Sequence, residues 1–296
     1  AGPSLAGYSF PGGHFSLEDF LIFARDNNVL PDILAWHVWD PDDVLTQVSQ
    51  GRAFMASNGI SIDRISLNEY VYDTDKNNPG ILPWYFANIE SAQVDSACHA
   101  CWYDEDGSSQ CFMAILDGLL TPEMEPRSTW WVYKGYGDIT GSLVQVTRSA
   151  SINGVAGLDV EKAQAHIVLG RRYAIEDVYL HLEGLDGMPE LLDQGRIRLI
   201  AKLIPNNGWS ALSQPTVVYD ADYPVTNGQL TIELPGFGPS TAYTISLLNP
   251  VPRCGYPGTT YARGDINRDC RVNLLDMLIL FHEWMGCYDP MLSHCQ

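Results

Sequence analysis

The residue pattern changes character near Gly141, and this change divides the 296-residue chain into parts with different folds. Up to about residue 136, short apolar runs alternate with segments of helix length, a pattern typical of parallel βα units. After Gly141, short alternating segments are separated by Gly, Asn and Pro turns, which indicates an antiparallel β-sandwich. We therefore predict an α/β part over residues 1–138, a β-sandwich over 139–250 and a small C-terminal module over 251–296.

Helices are predicted where apolar residues recur at helical spacing behind a capping residue. Ser16 is placed to cap the first helix, and Asp40 followed by Pro41 is typical of a second helix start. Helices are expected over residues 15–27, 40–57, 84–92, 112–120 and 128–136, with strands over 32–37, 64–69 and 97–103. In the sandwich, strands are expected over 143–148, 163–169, 178–182, 196–204, 230–234 and 241–248.

The composition is that of a globular protein whose negative charge would repel polyanions. Apolar residues make up 46 % and charged residues 18 % of the chain, so sizeable cores can form. The formal net charge of −19 argues against nucleic acid and anionic membranes as partners, because both are negatively charged. No run of about 18 apolar residues is present, so no membrane span is predicted. Neutral sugars are compatible with this charge.

Seven cysteines fall into two clusters, which favours an oxidising, extracellular compartment. In mid-chain, Cys101 and Cys111 flank a turn-rich loop, which favours a disulfide over a chemical role. Zinc binding by Cys98 and Cys101 is disfavoured, because no second ligand pair has suitable spacing. We predict a secreted protein, whose start at Ala1 is typical of a processed or truncated end. Four further cysteines could form two disulfides around the C-terminal module: Cys254, Cys270, Cys287 and Cys295.

A twelve-residue stretch near the C-terminus, residues 265–276, has the ligand pattern of a calcium loop. Oxygen-bearing side chains occupy positions 1, 3, 5, 9 and 12, and the backbone carbonyl of position 7 completes the set that a hard Ca2+ ion requires. A helical pattern over 274–284 follows directly, and the alternative interpretation is a solvated acidic turn ahead of that helix. The predicted ligands are Asp265, Asn267, Asp269, Arg271 through its carbonyl, Asn273 and Asp276.

This loop and helix resemble one repeat of a type I dockerin, the EF-hand-like calcium module of secreted polysaccharide-degrading enzymes. A dockerin carries two such loops, and this chain has one. Position 12 is Asp276 where an ordinary EF-hand has Glu, and Cys270 replaces the glycine at position 6. The resemblance implies a cohesin-like partner, and the alternative partners of the helix are its own sandwich or a neighbouring chain.

Functional groups in parallel βα architecture lie at the C-terminal ends of the strands. The residues at these ends are His37 and Trp39, Asn68 and Glu69, and Trp102. A carboxylate beside a histidine and an indole suits glycoside hydrolysis, because the carboxylate attacks or stabilises the anomeric carbon while the indole stacks on a sugar face. Strand alternation is expected to give each strand one face ending at such a residue: Ile33, Ala35 and His37; Ile65, Leu67 and Glu69; Cys98, Ala100 and Trp102.

In order along the chain, residues 1–4, 30–39, 65–70 and 102–103 resemble the second half of a clan A glycoside hydrolase. The closest resemblance is to family 39, the β-xylosidases and α-L-iduronidases. It covers roughly residues 1–250 and implies a partial (β/α)8 barrel, strands five to eight, followed by a β-sandwich. It also implies Glu69 as the nucleophile, His37 in the sugar subsite and Trp102 as its floor. With them, Trp39 and Asn68 are predicted to bind substrate.

The chain departs from this family in two respects. Tyr70 follows the nucleophile where the family usually has Trp. A full barrel takes about 250 residues, and only about half that length precedes the sandwich, so the family's acid/base Glu has no counterpart here. Asp73, Asp104 and Glu105 are alternative carboxylates in neighbouring loops. Half a barrel exposes two sheet edges, and a missing N-terminal half, a separate chain or self-association is expected to cover them.

Two hypotheses about function follow. The first is a secreted retaining glycoside hydrolase of the β-xylosidase type that acts on polysaccharide or oligosaccharide, with Ca2+ in its C-terminal module. The second is a non-catalytic extracellular scaffold or carbohydrate-binding protein that assembles through the barrel half and the calcium module. The structural alternative for Glu69 is an ion pair with Arg52 or Arg64.

Overall fold

A computed structural model describes residues 1–7, 16–173, 177–251, 261–268 and 272–284. Four short strands and four helices form the first part of the chain. The strands all run parallel and pair in chain order, β1-β2-β3-β4. Their bounds are β1 Gly2–Leu5, β2 Ile33–Val38, β3 Arg64–Tyr70 and β4 Ser96–His99. The helices are α1 Leu17–Asp26, α2 Pro41–Ser57, α3 Leu82–Ser91 and α4 Ser128–Gly137.

The helix starts follow the capping residues that the sequence provides. Ser16 accepts the backbone N–H of Asp19, and the Asp19 carboxylate accepts the backbone N–H of Ser16, which completes a capping box. Asp40 accepts the N–H of Asp42, and Pro41 occupies the first turn of α2, where no N–H is needed. These local signals explain why both helix starts were predicted correctly.

One face of the parallel sheet is buried beneath the first helices. Leu34, Trp36 and Leu67 of the strands have no more than 1 % of their surface exposed and pack with Leu21 of α1 and Val44 of α2. Burial of such large apolar side chains contributes roughly 1.5–3 kcal/mol each. The sheet is therefore held by helices on one face, while Ser66 and Ser96 lie on the other.

The second part of the chain is antiparallel, as predicted. Six strands pair in the order β10-β9-β12-β7-β6-β5, and a two-stranded sheet, β11-β8, shares an apolar core with them. The six strands are β5 Ser142–Val144, β6 Ile152–Asp159, β7 Gln164–Arg171, β9 Arg196–Ile204, β10 Thr216–Pro224 and β12 Thr241–Leu248. The smaller sheet contains β8 Tyr179–Leu182 and β11 Leu230–Glu233. The sequence predictions missed β6 and β10.

The two parts share a core, because α3 and α4 pack on the outer face of the six-stranded sheet. Val155, Val168 and Ala242 of that sheet belong to the same buried cluster as the helices of the first part. At the contact, a Cβ on Gly170 of β7 would overlap the carbonyl oxygen of Gly80. Glycine therefore permits the close backbone approach between the two parts.

The segment 112–120 is not the predicted helix. A 3-10 turn, Gln110–Phe112, leads into this segment. Turns follow, in which Ala114, Leu116 and Asp117 have positive φ angles. A disulfide between Cys101 and Cys111, as predicted, closes the loop just ahead of this segment. The sequence predicted this disulfide, but not the turns that the backbone adopts behind it.

A further helix, α5 Leu274–Trp284, follows the predicted calcium loop. Across the residues whose structure is described, no helix is both long and apolar enough to cross a membrane. The mixed α/β architecture is thus confirmed, whereas the partial barrel, the boundaries at 138 and 250 and the calcium module stay predictions.

Candidate active site

A β-bulge in β3 determines which way Glu69 faces. Trp36 of β2 pairs with Leu67, but the next residue, His37, pairs with Glu69, so Asn68 is an extra residue in the strand. Paired residues project to the same face of a sheet. The prediction that Leu67 and Glu69 share a face is therefore wrong, because the bulge moves Glu69 to the face of His37 while Leu67 stays in the core.

His37 and Glu69 are in contact at the C-terminal edge of the sheet. His37 Nδ1 lies 3.3 Å from Glu69 Oε2, and the two side chains are 15 % and 42 % exposed. Glu69 is therefore accessible to a ligand, while the imidazole beside it is mostly shielded. Arg52 is not its partner, because that guanidinium donates to the carbonyls of Ala92 and Gln93. The alternative of a structural Glu69–Arg52 pair is wrong.

Ser4, which the sequence did not mark, joins His37 to Asn68. Its Oγ lies 3.3 Å from His37 Nε2 and accepts a hydrogen bond of 2.5 Å from Asn68 Nδ2. Ser4 has a φ of 64°, and the register between β1 and β2 shifts at this residue. A strand of four residues is too short for a pattern of its own, so only its pairing with β2 could reveal this role.

Three aromatic rings form a group beside the His37 ring. Trp39 and Trp102 have ring centroids 5.3 Å apart, and Tyr72 lies 6.1 Å from Trp39 and 5.9 Å from Trp102. The Trp39 ring also meets the His37 ring edge-on at 5.2 Å. The aromatic group of Trp39, Tyr72 and Trp102 is thus continuous with the His37–Glu69 pair. Tyr72 was not predicted, and its exposed side chain gave no periodic signal.

The backbone that follows Glu69 holds Trp102 in place. Trp102 Nε1 donates to the carbonyl of Val71 at 3.0 Å. Val71 has a φ of 74°, a conformation that β-branched residues rarely adopt. Such strain persists where surrounding structure enforces it, and it clusters at functional sites. Here the unusual backbone turns a carbonyl toward the indole of the aromatic group.

Two of the alternative carboxylates are engaged elsewhere. Asp104 is buried and bound by Arg127, with Nη2 to Oδ1 at 2.9 Å. Asp73 is paired with Lys76 at 2.6 Å. The buried Asp104 is therefore a structural partner of Arg127, whereas Asp73 lies in a partly exposed pair with Lys76. Glu105 is exposed on the loop that follows Trp102.

Behind the sheet, His99 lies in an apolar and aromatic environment. Its ring is 6.0 Å from that of Tyr70 and 5.8 Å from that of Tyr133, whose hydroxyls are hydrogen-bonded to each other at 2.5 Å. Both ring nitrogens of His99 are buried without a hydrogen-bond partner. Burial lowers the pKa of His99 to about 4, because a charged imidazolium would lose its hydration.

The predicted calcium residues are partly described. Asp265 and Asp276 are buried, and the Asp276 carboxylate accepts the backbone N–H groups of Ile266, Asn267 and Asn273 at 2.7, 3.2 and 2.8 Å. These bonds, that from Asn273 foremost, lower the pKa of Asp276. They join the start of α5 to the start of the loop.

The donor chemistry of this loop fits Ca2+, because its described candidate ligands offer side-chain oxygens. Asp269 and Arg271 lie outside the described residues. Among the residues that are described, no group of three or more His, Cys, Asp or Glu side chains could hold a metal. The predicted ligands include Asn side chains and a backbone carbonyl as well, and the calcium site stays a prediction.

The arrangement at the sheet edge can carry half of a glycosidase mechanism. An accessible carboxylate, in contact with a histidine, lies near an aromatic surface on which a sugar ring can stack. Retaining hydrolysis needs a second carboxyl group about 5 Å from the first. The sheet edge supplies Glu69 as the first.

The chain is similar in sequence to two curated glycosidases. It is 26 % identical over 174 residues to a 3-O-alpha-D-galactosyl-alpha-L-arabinofuranosidase of Bifidobacterium longum subsp. longum, covering 54 % of this chain and 14 % of that protein. It is 24 % identical over 160 residues to a 3-O-beta-L-arabinopyranosyl-alpha-L-arabinofuranosidase of Bifidobacterium pseudocatenulatum, covering 51 % and 16 %. The chain thus spans a small fraction of the length of either relative. No family model matches it.

Solved structures share its fold. The structure of N2152 from Neocallimastix frontalis superposes with a TM-score of 0.68 and 26 % identity, covering 79 % of this chain and 57 % of that one. A GH39 enzyme from Xanthomonas axonopodis pv. citri superposes with a TM-score of 0.56 and 12 % identity, covering 78 % and 57 %. The second likeness is one of fold alone.

Proposed function

We propose that this chain is the nucleophile-bearing part of a retaining glycoside hydrolase that acts on oligosaccharide or polysaccharide. Glu69 attacks the anomeric carbon and forms a glycosyl ester, the leaving-group oxygen takes a proton from an acid, and water then cleaves the ester. The observation that carries the proposal is the His37–Glu69 contact beside Trp39 and Trp102 at the C-terminal edge of a parallel sheet.

The surrounding residues have supporting roles in this proposal. His37 contacts the Glu69 carboxylate, and Ser4 links His37 to Asn68; the polar side chains of His37 and Asn68 can hydrogen-bond sugar hydroxyls. Trp39 and Trp102 provide the surface for a sugar ring, which suits neutral substrates of a chain with net charge −19. Since the curated relatives are arabinofuranosidases by name and the sequence resembles β-xylosidases, pentosides are the first substrates to test.

The proton donor is assigned to polypeptide beyond this site, because Asp104 is held in a buried ion pair and, among the described residues, no contact brings Asp73 or Glu105 to Glu69. Within the described chain, β1 and β4 are the two edges of the parallel sheet and offer unpaired backbone groups. A further barrel half, whether from the same polypeptide, a separate chain or a second copy, would pair with these edges. Such a half would bring the acid/base carboxylate opposite Glu69.

The experiment uses a substrate that needs little acid assistance. Dinitrophenyl arabinofuranoside and xyloside have good leaving groups, so the attack by Glu69 can be followed even if the proton donor is absent. Glu69→Gln should lower the rate of dinitrophenol release at least about 1,000-fold. Glu123→Gln, which changes an exposed carboxylate in the same way, should leave the rate unchanged.

A fluorinated, slowly hydrolysed glycoside gives the decisive observation. Mass spectrometry should find one sugar ester, and it should map to the peptide that contains Glu69. An ester on another residue, or hydrolysis undiminished in Glu69→Gln, would contradict the proposal. Sugar binding without any ester or hydrolysis would favour the second hypothesis, a non-catalytic carbohydrate-binding protein.

For the C-terminal module we propose Ca2+ binding by the loop 265–276 and attachment to a partner through α5. Buried Asp265 and Asp276 support the ion site, and the exposed Leu278 and Phe281 of α5 support a docking face. The resemblance to dockerins makes a cohesin-like module the partner to test. Secretion is likewise proposed, and the Cys101–Cys111 disulfide supports it.

A further inference from the structure

A cavity of about 220 Å3 opens between α4 and the outer face of the six-stranded sheet. It shares no lining residue with the Glu69 site. Its walls come from three strands and one helix, and the polar residues that line it include Lys134, Asp138, His166, Lys202 and Ser246. Trp131 forms its aromatic wall.

The strand register explains why these groups meet. Ser246 of β12 pairs with His166 of β7, and two residues earlier Thr244 pairs with Lys202 of β9. Positions two residues apart project to the same face, so all four side chains lie on one surface of the sheet. Gly135 lets α4 approach this surface, because a Cβ there would overlap the Thr244 side chain.

Helical spacing supplies the other wall. Trp131, Lys134 and Asp138 are separated by three and four residues, so they lie on one face of α4 and its C-terminal end. Trp131 Nε1 already donates to the carbonyl of Leu212 at 2.7 Å. The indole therefore offers the cavity its ring rather than its N–H group.

The charges of the cavity are unusual for this chain. The chain has 17 basic against 36 acidic residues, yet Lys134 and Lys202 both line this one cavity. Lys134 is ion-paired with Asp138 at 2.5 Å. Lys202 has no ion pair within the part of the chain that the structure describes. His166 is bonded to Ser246, with Nδ1 to Oγ at 3.0 Å, and burial foremost lowers its pKa, so the ring is neutral at neutral pH.

We propose that this cavity binds one uronic acid residue, with the sugar carboxylate on Lys202 and the ring against Trp131. An ammonium without a carboxylate partner selects an anion, and a charge-assisted hydrogen bond is the stronger kind. The aromatic wall selects a ligand with an apolar face, as a sugar ring has. A cavity of about 220 Å3 accommodates one ring and its substituent. The site is separate from hydrolysis at Glu69, and it would hold an acidic branch of a polysaccharide.

The test compares glucuronate with glucose by isothermal titration calorimetry on the full chain. Glucuronate should bind and glucose, which has the same ring without the charge, should not. Lys202→Gln should weaken glucuronate binding about tenfold or more. Lys162→Gln should leave it unchanged, because Lys162 carries the same charge nearby but pairs with Asp159 and does not line the cavity. Circular dichroism checks that the exposed Lys202→Gln substitution leaves the fold intact.

Several outcomes would overturn the proposal. One is that glucuronate does not bind at all, and another is that glucose binds as tightly as glucuronate. A third is that Lys202→Gln and Lys162→Gln reduce the affinity for glucuronate equally. Inorganic phosphate that binds as tightly as glucuronate would also contradict it, because the ring would then contribute nothing. Glu69→Gln should not change the affinity for glucuronate, so a failure of the proposed hydrolysis and a failure of this site can be told apart.

Discussion

Arg127 binds Asp104 through two hydrogen bonds from Nη2, 2.9 Å to Oδ1 and 3.1 Å to Oδ2, with only 2 % and 4 % of the two side chains exposed. The same guanidinium donates from Nη1 to the carbonyl of Gly118 and from Nε to that of Trp209. Arg127 therefore joins the loop after β4 to the sandwich. Asp104 acts as a structural anchor rather than as the acid of a sugar hydrolase.

Removing one partner of this pair should be costly. Arg127→Met would leave the Asp104 carboxylate buried without a counter-charge, which costs about 3–5 kcal/mol of unfolding free energy. Urea denaturation measures the change. The matched control is Lys134→Met, which breaks the half-exposed pair with Asp138 and should cost less than about 1 kcal/mol. If the two variants lost the same unfolding free energy, burial would not be what makes the Arg127–Asp104 pair strong.

The sequence predicted those elements whose signals are local. Pro41–Ser57 was anticipated because Asp40 and Pro41 mark its start, and the strand ends placed His37 and Glu69 at one edge. The bulge at Asn68 was not anticipated, because an extra residue in a strand becomes visible only through its pairing partner.

The remaining site residues depend on contacts between distant segments. Ser4 meets Asn68 across 64 positions of sequence, and no periodicity in either segment encodes that meeting. Tyr72 joins the aromatic group only because β3 ends beside the loop that carries Trp102. Parallel pairing therefore assembles the site from residues that the sequence shows only separately.

His99 should make the stability of the protein depend on pH. Its pKa falls from 6.5 in the unfolded chain to about 4 in the folded one, so between these values the unfolded state binds more protons. The contribution of neutral His99 to the free energy of unfolding is fully present above about pH 6.5. About 3 kcal/mol of it is lost as pH falls from 6.5 toward 4. His99→Phe, which keeps a ring without a titrating group, should flatten that part of the profile.

The measurement is urea denaturation of wild type and His99→Phe from pH 7 down to 4. Their difference isolates His99 from other groups that titrate in the same range. His181→Gln serves as the control, because His181 is exposed and its substitution should leave the slope unchanged. Parallel pH profiles for wild type and His99→Phe would contradict the buried neutral imidazole.

Trp102→Phe should weaken sugar binding without abolishing the chemistry. The substitution removes the hydrogen bond to Val71 and reduces the ring surface of the aromatic group. We expect KM for the dinitrophenyl pentosides to rise about three- to tenfold, because stacking contributes about 0.5–1.5 kcal/mol, with kcat less affected. Trp130→Phe changes an indole outside the aromatic group and is the control. A fall in kcat alone would instead assign Trp102 a role in the transition state.

Calcium should stabilise the C-terminal module if the loop 265–276 binds it. A ligand that binds only the folded state adds about 2.7 kcal/mol at a hundred times its dissociation constant, so chelation should lower the Tm of this module. Asp265→Ala should lower this Tm similarly and remove its response to chelator. The control is Asp222→Ala on β10, where the side chain is exposed; it should change neither the Tm nor the response to chelator. Hydrogen exchange of α5 follows the module separately from the sandwich. Exchange rates that respond neither to chelator nor to Asp265→Ala would refute the loop assignment, since the backbone bonds to Asp276 would then hold the loop without an ion.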